Sequence, residues 1–515
     1  MNDRQTRYLQ ALTILVLVAF VSVACSPDAQ SEKSAVPSPS SREVATYAVE
    51  NYSQAALDTL RELVAFETVH VEGTANADNP EFQAMTEYLA NKAAELGLDF
   101  EDHGAVVIIG LGDAEDRIGI VAHADVQPAD ASKWEGDPFL LDEQSEPGRL
   151  VGRGTEDDKG PLACGLWAMK ALSERQLPLA RRVELIIAYT EESDWAPIRQ
   201  FLASWDPPAI NIAFDAEYPV VVAEKGWGQV MIKLPTGGDG DTGTPYLASF
   251  SGGAFLSQVP EDAVAEIAGA TDELAAALAA SSPAVDGIET TIERDGDRIT
   301  VRVHGVSAHS STPWEGRNAI THLAALLGRH QWPTTAAADV MRLINDLIGT
   351  GDNAEKFGEL AYSDPFMGPL TLTLATLEEK DGLLTAGVSF RRPAGRDRAE
   401  VELAVKSALD GWRDVQDLEA LTYELAVYDP YQAGEAPQVP VLLDVFSHYT
   451  GIEDPQPISI GGGTNAGLLP NGVSFGPSMP GVPYTGHSEH EFIGREQFIL
   501  NLEMYTAVLA ELAGE

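Results

Sequence analysis

A chain of 515 residues exceeds what one ordinary core can bury, so at least two domains are implied. Its 79 acidic against 33 basic residues leave a net charge of -46, which repels phosphate backbones and excludes nucleic acid as a partner, because that binding relies on basic residues displacing counterions. A hydrophobic content of 44% is that of a globular protein, and the acidic surplus reads as a heavily hydrated surface.

The first residues predict export. Arg4 and Arg7 precede an apolar stretch from about Leu9 to Ala24 that ends in small residues. Val23-Ala24-Cys25 resembles a bacterial lipoprotein cleavage site in which the cysteine becomes the lipidated first residue, although Ser22 stands where that pattern usually has Leu. Residues 1–24 are therefore expected to be a signal peptide. The mature chain is expected in the periplasm or cell envelope, held to the membrane through Cys25. The Ser-, Pro- and Ala-rich residues 25–46 read as a disordered tether. With Cys25 modified, Cys164 has no partner, so no structural disulfide is expected and Cys164 reads as a buried, inert thiol.

From Tyr47 the pattern is globular. Helical spacing of apolar residues spans 55–66 and 81–97. Short apolar runs ending in polar residues follow at 118–123, 183–190 and 210–215 and predict strands, with an amphipathic helix at 160–175 between the first two. This alternation predicts an α/β domain with a mainly parallel sheet covered by helices, whose chemistry gathers beyond the carboxyl ends of the strands. After Glu224-Lys225-Gly226 the composition loosens. An alternating strand at 299–303 and a helix at 318–327 belong to an inserted domain of mixed α and β structure. The chain then returns near Pro430, with helices at 441–449 and 497–512. The expected organisation is a catalytic domain built from 47–225 and 429–515, interrupted by an insertion at 226–428.

Polar residues cluster at the predicted strand ends. His123 and Asp125, two apart on a strand, point the same way, so the carboxylate can support the imidazole. Asp157 and Asp158 lie in a glycine-rich approach to a helix, where an isolated pair would merely cap it. Glu191-Glu192 ends the second strand and Asp215 the third. Carboxylates gathered in one place repel one another and call for a cation. Two divalent ions sharing one carboxylate, roughly 3.5 to 4 Å apart, would neutralise such a cluster. The sulfur-free ligand set suits zinc, with manganese or cobalt as alternatives.

These motifs resemble those of the M20 metallopeptidases, most closely the dipeptidase branch of peptidase V, carnosinase-like and Sapep-type enzymes. The resemblance runs from about Ala55 to the C-terminus. It rests on His123-Ala124-Asp125-Val126-Gln127-Pro128, Trp134 with Asp137-Pro138-Phe139, Gly152 to Pro161, Thr190-Glu191-Glu192-Ser193, Asp215-Ala216-Glu217 and Glu224-Lys225-Gly226. Further on it rests on Ser307-Ala308-His309 with Pro313, Gly316, Asn318 and Ala319, then Gly461-Gly462-Gly463-Thr464, and His487 with Glu491-Phe492.

The resemblance implies a zinc-exopeptidase-like catalytic domain under a lid. It implies that His123, Asp157 and Asp215 hold one metal and Asp157, Glu192 and His487 the other, with Asp157 as the bridge. Glu191 is implied as general base and Asp125 as the residue orienting His123. His487, not His490, has the family's spacing to Glu491. In the lid, His309 resembles the histidine that stabilises the oxyanion. Arg391, with Arg392 as its rival, resembles the arginine that grips the substrate carboxylate, and Gly461, Gly462 and Gly463 can bring backbone N–H groups to the same carboxylate. Ser257 departs from the family, which commonly has Asn there. The long insertion looks like the form that supplies every element from one chain, so a monomer is expected. The implied activity is hydrolysis of dipeptides or short peptides with a free amino end. The alternatives are an N-acyl-amino-acid amidohydrolase or carboxypeptidase of the same family, and a surface lipoprotein that binds peptides without cleaving them.

Overall fold

The computed structural model describes residues 36–236, 244–282 and 284–514. The export segment and Cys25 lie outside the described residues.

Helix α1 (Pro39–Val64) begins inside the expected tether, so the expectation of disorder through 46 is corrected over 39–46. The serine and proline that suggested a linker start a helix instead. Ser38 accepts the Ser41 N–H at 3.2 Å and Pro39 occupies the first turn, where its missing N–H costs nothing. Val44, Ala45 and Ala48 are buried in the main core, and burying a side chain such as Val44 contributes on the order of 1.5 kcal/mol. Helix α2 (Pro80–Leu96) starts in the same way, with the Asn79 side chain accepting the Glu81 N–H.

The strands that position the site follow as β1 (Asp99–Asp102), β2 (Val106–Leu111) and β3 (Arg117–His123), then helix α3 (Lys159–Glu174), β4 (Arg182–Ala188), β5 (Ile210–Ala213) and β6 (Val221–Glu224). A second sheet takes over at β7 (Gly226–Pro235). It continues through β8 (Tyr246–Gly252), β9 (Asp262–Ala268), β10 (Glu289–Asp295), β11 (Arg298–His304), β12 (Thr371–Lys380), β13 (Leu383–Arg392) and β14 (Thr422–Val427). The chain then rejoins the first sheet with β15 (Tyr431–Gln432), β16 (Ile458–Ile460) and β17 (Gly472–Ser474), and ends in helix α4 (Arg495–Ala513).

The first sheet runs β1-β2-β4-β3-β5-β17-β6-β15, with β16 beside β6. Its centre is parallel, β4-β3-β5-β17, as the strand and helix alternation predicts. The flanking pairs are antiparallel, apart from β16, which lies parallel to β6. Helices α1, α3 and α4 share its core, joined by the Trp167 indole N–H donating to Thr59 at 2.9 Å and by Cys164, which is free and buried against the Phe498 carbonyl. The second sheet, β10-β11-β9-β8-β12-β13-β7-β14, is antiparallel throughout and covered by its own helices, including Ala319–Leu327 and Arg398–Gln416, around a separate core.

Glu224, at the end of β6, is buried where the two sheets meet and accepts the Thr464 hydroxyl at 2.7 Å. Burial pushes its carboxyl up to about 7, against the opposing hydrogen bonds from Thr464. The folded protein thus binds a proton there that the unfolded chain releases near its ordinary value of 4.5. Stability contributed by this group is complete below that value and is lost as pH rises toward 7, an effect on the order of 3 kcal/mol. Chemical denaturation of the metal-free protein from about pH 5 to about pH 8 should show the wild type losing that much more than Glu224→Gln. Parallel losses would show that Glu224 does not titrate in this range.

Candidate metal centre and active site

Each element of the first sheet delivers one part of the site. β3 ends at His123, whose Nε2 lies 2.8 Å from Asp157 Oδ1 and 3.7 Å from Asp215 Oδ1, just beyond β5. His487 Nε2 reaches the other oxygen of Asp157 at 3.1 Å and Glu192 Oε2 at 2.9 Å. Asp157 therefore stands between two imidazoles, one on each carboxylate oxygen. The candidate ligand atoms of His123, Asp157 and Glu192 lie within 4.8 Å of one another, and so do those of His123, Glu191 and Asp215.

Asp125 does more than the resemblance implies. His123 Nδ1 is 2.9 Å from the Asp125 backbone carbonyl and 3.6 Å from its carboxylate, the latter beyond hydrogen-bond distance. The carboxylate instead accepts the N–H groups of Glu191 at 3.2 Å and Glu192 at 2.9 Å, fixing the turn that presents both glutamates. Two groups of one residue just beyond β3 thus divide the work, the main chain orienting the imidazole and the side chain orienting the neighbouring loop. The Trp195 indole N–H, at 2.7 Å from the Glu191 carbonyl, holds that turn from its other end.

Sequence reasoning left Glu156 and Glu491 without roles, and they tie the two loops together. Glu491, fully buried, accepts from Arg153 at 2.9 Å and from the N–H groups of Gly154, Glu156 and Asp157 at 3.0, 3.0 and 3.1 Å. Glu156 in return accepts from the Thr485 N–H and hydroxyl at 2.8 and 3.0 Å and from Ser478 at 2.9 Å. Tyr484, also unforeseen, donates to Asp157 Oδ2 at 2.6 Å, and Gln127 donates to Glu192 Oε2 at 2.9 Å. Gln127, Glu156 and Glu491 lie in the family motifs, which is the signal the sequence offered for them, whereas Tyr484 lies outside those motifs.

The second domain brings His309 over this floor, with its ring 5.0 Å from that of His487. Arg391, buried, donates to Ser310 Oγ at 3.4 Å and keeps Nε without a partner. Its rival Arg392 is committed elsewhere, paired with Asp429 at 2.8 Å. His490 is likewise outside the centre, exposed and 2.7 Å from Glu146. A Cβ on Gly462 or Gly463 would meet its nearest neighbours only at 3.8 Å, whereas Gly461 abuts Ser311 of the lid. None of the three donates its N–H to a backbone carbonyl among the described residues. Ser257 sits behind the histidine loop, its carbonyl accepting the Ser310 N–H at 2.8 Å.

Four carboxylates, Asp157, Glu191, Glu192 and Asp215, thus meet two imidazoles, with His123 and Asp157 buried and the others half-buried. Burial pushes Asp215 up to about 6, and burial together with the charge of Asp215 lifts Glu191 well above the usual carboxylate range. Burial also raises Asp157, but hydrogen bonds and charge from His123 and His487 outweigh it and hold that carboxyl well below its ordinary value. The nearest lysine in sequence, Lys159, turns away to the Phe66 carbonyl at 2.6 Å. Oxygen and imidazole donors packed this closely, with one acceptor of Glu191 buried and unpartnered, fit divalent cations.

The family model described as Peptidase family M20/M25/M40 matches residues 119–512, a span that contains every donor of this centre. The chain belongs to that peptidase family. It is 28% identical over 466 residues to the Beta-Ala-Xaa dipeptidase of Lactobacillus delbrueckii subsp. lactis, covering 89% of this chain and 96% of that protein. Its fold is similar to that of human carnosine dipeptidase 1, with a TM-score of 0.56 at 17% identity across 92% of this chain and 99% of the other. The di-peptidase Dug1p of Saccharomyces cerevisiae aligns with a TM-score of 0.55 at 12% identity, over 91% and 98% of the two chains. As in other M20 peptidases, the centre is built for metal-dependent hydrolysis of an amide bond.

Asp157→Asn should abolish binding of both cations when metal-free protein is titrated with zinc, and His487→Ala should remove one. His490→Ala should leave the stoichiometry unchanged. Two ions retained by Asp157→Asn would rule out the shared carboxylate.

Proposed function

We propose that the protein is a dipeptidase that uses two divalent cations, zinc in the native state, to hydrolyse the peptide bond of dipeptides and short peptides with a free amino end. The observation that carries this reading is Asp157 held between His123 and His487 at 2.8 and 3.1 Å, with Glu191 beside them. The dipeptidase named above, matched along nearly its whole length, supports the substrate class.

On this reading His123, Asp157 and Asp215 hold one cation and Asp157, Glu192 and His487 the other. When bound, the cations supply Lewis acidity that lowers the pKa of water toward roughly 7 and polarises the scissile carbonyl. Glu191, fixed through its backbone by Asp125 and Trp195, takes the proton of the attacking water and returns it to the leaving amine. His309 donates to the oxyanion as charge develops there. Burial, the charge of His487 and that of Arg391 all hold this imidazole well below its ordinary pKa, so it works as a neutral donor. Arg391 and the free N–H groups of the Gly461 to Gly463 loop receive the substrate carboxylate, and the closed lid excludes bulk water.

His309 reaches the floor from the same chain, which supports a monomer as the working unit. We also propose that the enzyme works in the periplasm or cell envelope, tethered through lipid on Cys25. The support is the basic start, apolar run and small residues before Cys25. Loss of membrane association in Cys25→Ser would be the expected result.

Metal-reconstituted enzyme should cleave a dipeptide and leave its N-acetylated form intact. Glu191→Gln should retain both cations while turnover falls about 10²- to 10⁴-fold. Preference for the N-acetylated form would favour the amidohydrolase reading, and tight peptide binding without cleavage would make the protein a binding lipoprotein.

A further inference from the structure

A neutral imidazole has one N–H donor and one bare acceptor nitrogen, and its neighbours settle which is which. The backbone N–H of Ser311 lies 3.2 Å from His309 Nδ1, and the Ser311 hydroxyl lies 2.5 Å from the same atom. A backbone N–H can only donate. The contact is therefore satisfied only when Nδ1 is the acceptor, which leaves the proton of His309 on Nε2. The hydroxyl, able to donate or accept, donates in the same arrangement.

Ser311 also meets the opposite domain. A Cβ placed on Gly461 would stand 2.7 Å from the Ser311 carbonyl oxygen and 2.9 Å from its Cβ, and both of these belong to the short, buried stretch after His309. On the neighbouring Gly462 a Cβ would meet nothing nearer than Ile460 Cδ1 at 3.8 Å. Gly461 is not among the residues with positive φ, so the constraint there is the approach of Ser311 and not the backbone conformation. Behind the loop, the lid pins Ser310 through the Ser257 carbonyl at 2.8 Å and the Thr373 hydroxyl at 3.3 Å. The loop has little freedom to yield if its landing place is raised.

We propose that Ser311 and Gly461 are positioning residues for His309. Ser311 sets the imidazole with its proton on Nε2, and Gly461 is the seat on which the lid lands so that this donor reaches the reacting carbonyl. The inference rests on the dipeptidase reading for its kinetic consequences but not for the protonation state it assigns.

Gly461→Ala in the metal-loaded enzyme should lower kcat on a dipeptide about 10- to 100-fold, the scale expected for a misplacement of about 1 Å, with metal content and thermal midpoint unchanged. In the His309→Ala background the same substitution should cost less than about twofold, because the group it displaces is gone. Equal losses in both backgrounds, or no loss in the wild-type background, would overturn the seat. Ser311→Ala keeps the backbone N–H and removes only the hydroxyl, so it should leave the proton on Nε2 and lower kcat by less than about tenfold, with no further loss in the His309→Ala background; an equal loss in both backgrounds would remove the Ser311 hydroxyl from its positioning role even should Gly461→Ala fail to fold.

NMR of isotopically labelled histidine, with the His309 signal identified by its disappearance in His309→Ala, should report a bare Nδ1 and a protonated Nε2. A proton on Nδ1 would overturn the role of Ser311. This measurement needs no substrate, so an enzyme inactive on dipeptides would remove the substrate assignment while leaving the protonation result to stand or fall by itself.

Discussion

Two glutamates that touch no candidate cation position the groups that do. Asp157 sits on the loop before α3 and His487 on the loop before α4, and without a tie between them four carboxylates would push the centre apart. The tie is reciprocal. Glu491, from the His487 loop, accepts four donors from the Asp157 loop. Glu156, from the Asp157 loop, accepts three from around the His487 loop. Burial raises both carboxyl groups from their ordinary values, Glu156 to about 7, so each gives up solvation that the surrounding donors must replace. Hydrogen bonds to charged groups are worth more than neutral ones, which favours this arrangement over an apolar contact of the same size.

Much of the centre was legible because strands are written locally. The apolar runs leading to His123, Glu191 and Asp215 mark where a parallel sheet ends, and the family resemblance, through the spacing of His487 to Glu491, points to His487 over His490. The family motifs extended this to Arg391 over Arg392, and the commitment of Arg392 to Asp429 gives that choice a physical basis.

What was not legible depends on partners distant in sequence. Nothing near Glu156 announces Thr485, and nothing in Asp125 indicates that its carboxylate faces the backbone of Glu191 and Glu192 while its carbonyl takes the imidazole. The start of α1 was hidden for another reason. Serine and proline are residues both of linkers and of first helical turns, and only the burial of Val44 and Ala45 distinguishes the two.

The two crossings between the sheets lie side by side. Gly226 packs so closely on Tyr428 that a Cβ would stand 2.3 Å from the Tyr428 carbonyl oxygen, Tyr428 N–H donates to the Trp227 carbonyl at 2.7 Å, and the two rings stack. An insertion of about two hundred residues therefore leaves and re-enters its host almost at one point. For the host domain, the detour closes a gap no wider than an ordinary hairpin, so its entropic burden grows only with the logarithm of the insert's length. Elaboration of the roof, even by whole strands, can thus proceed with little thermodynamic consequence for the floor that performs the chemistry.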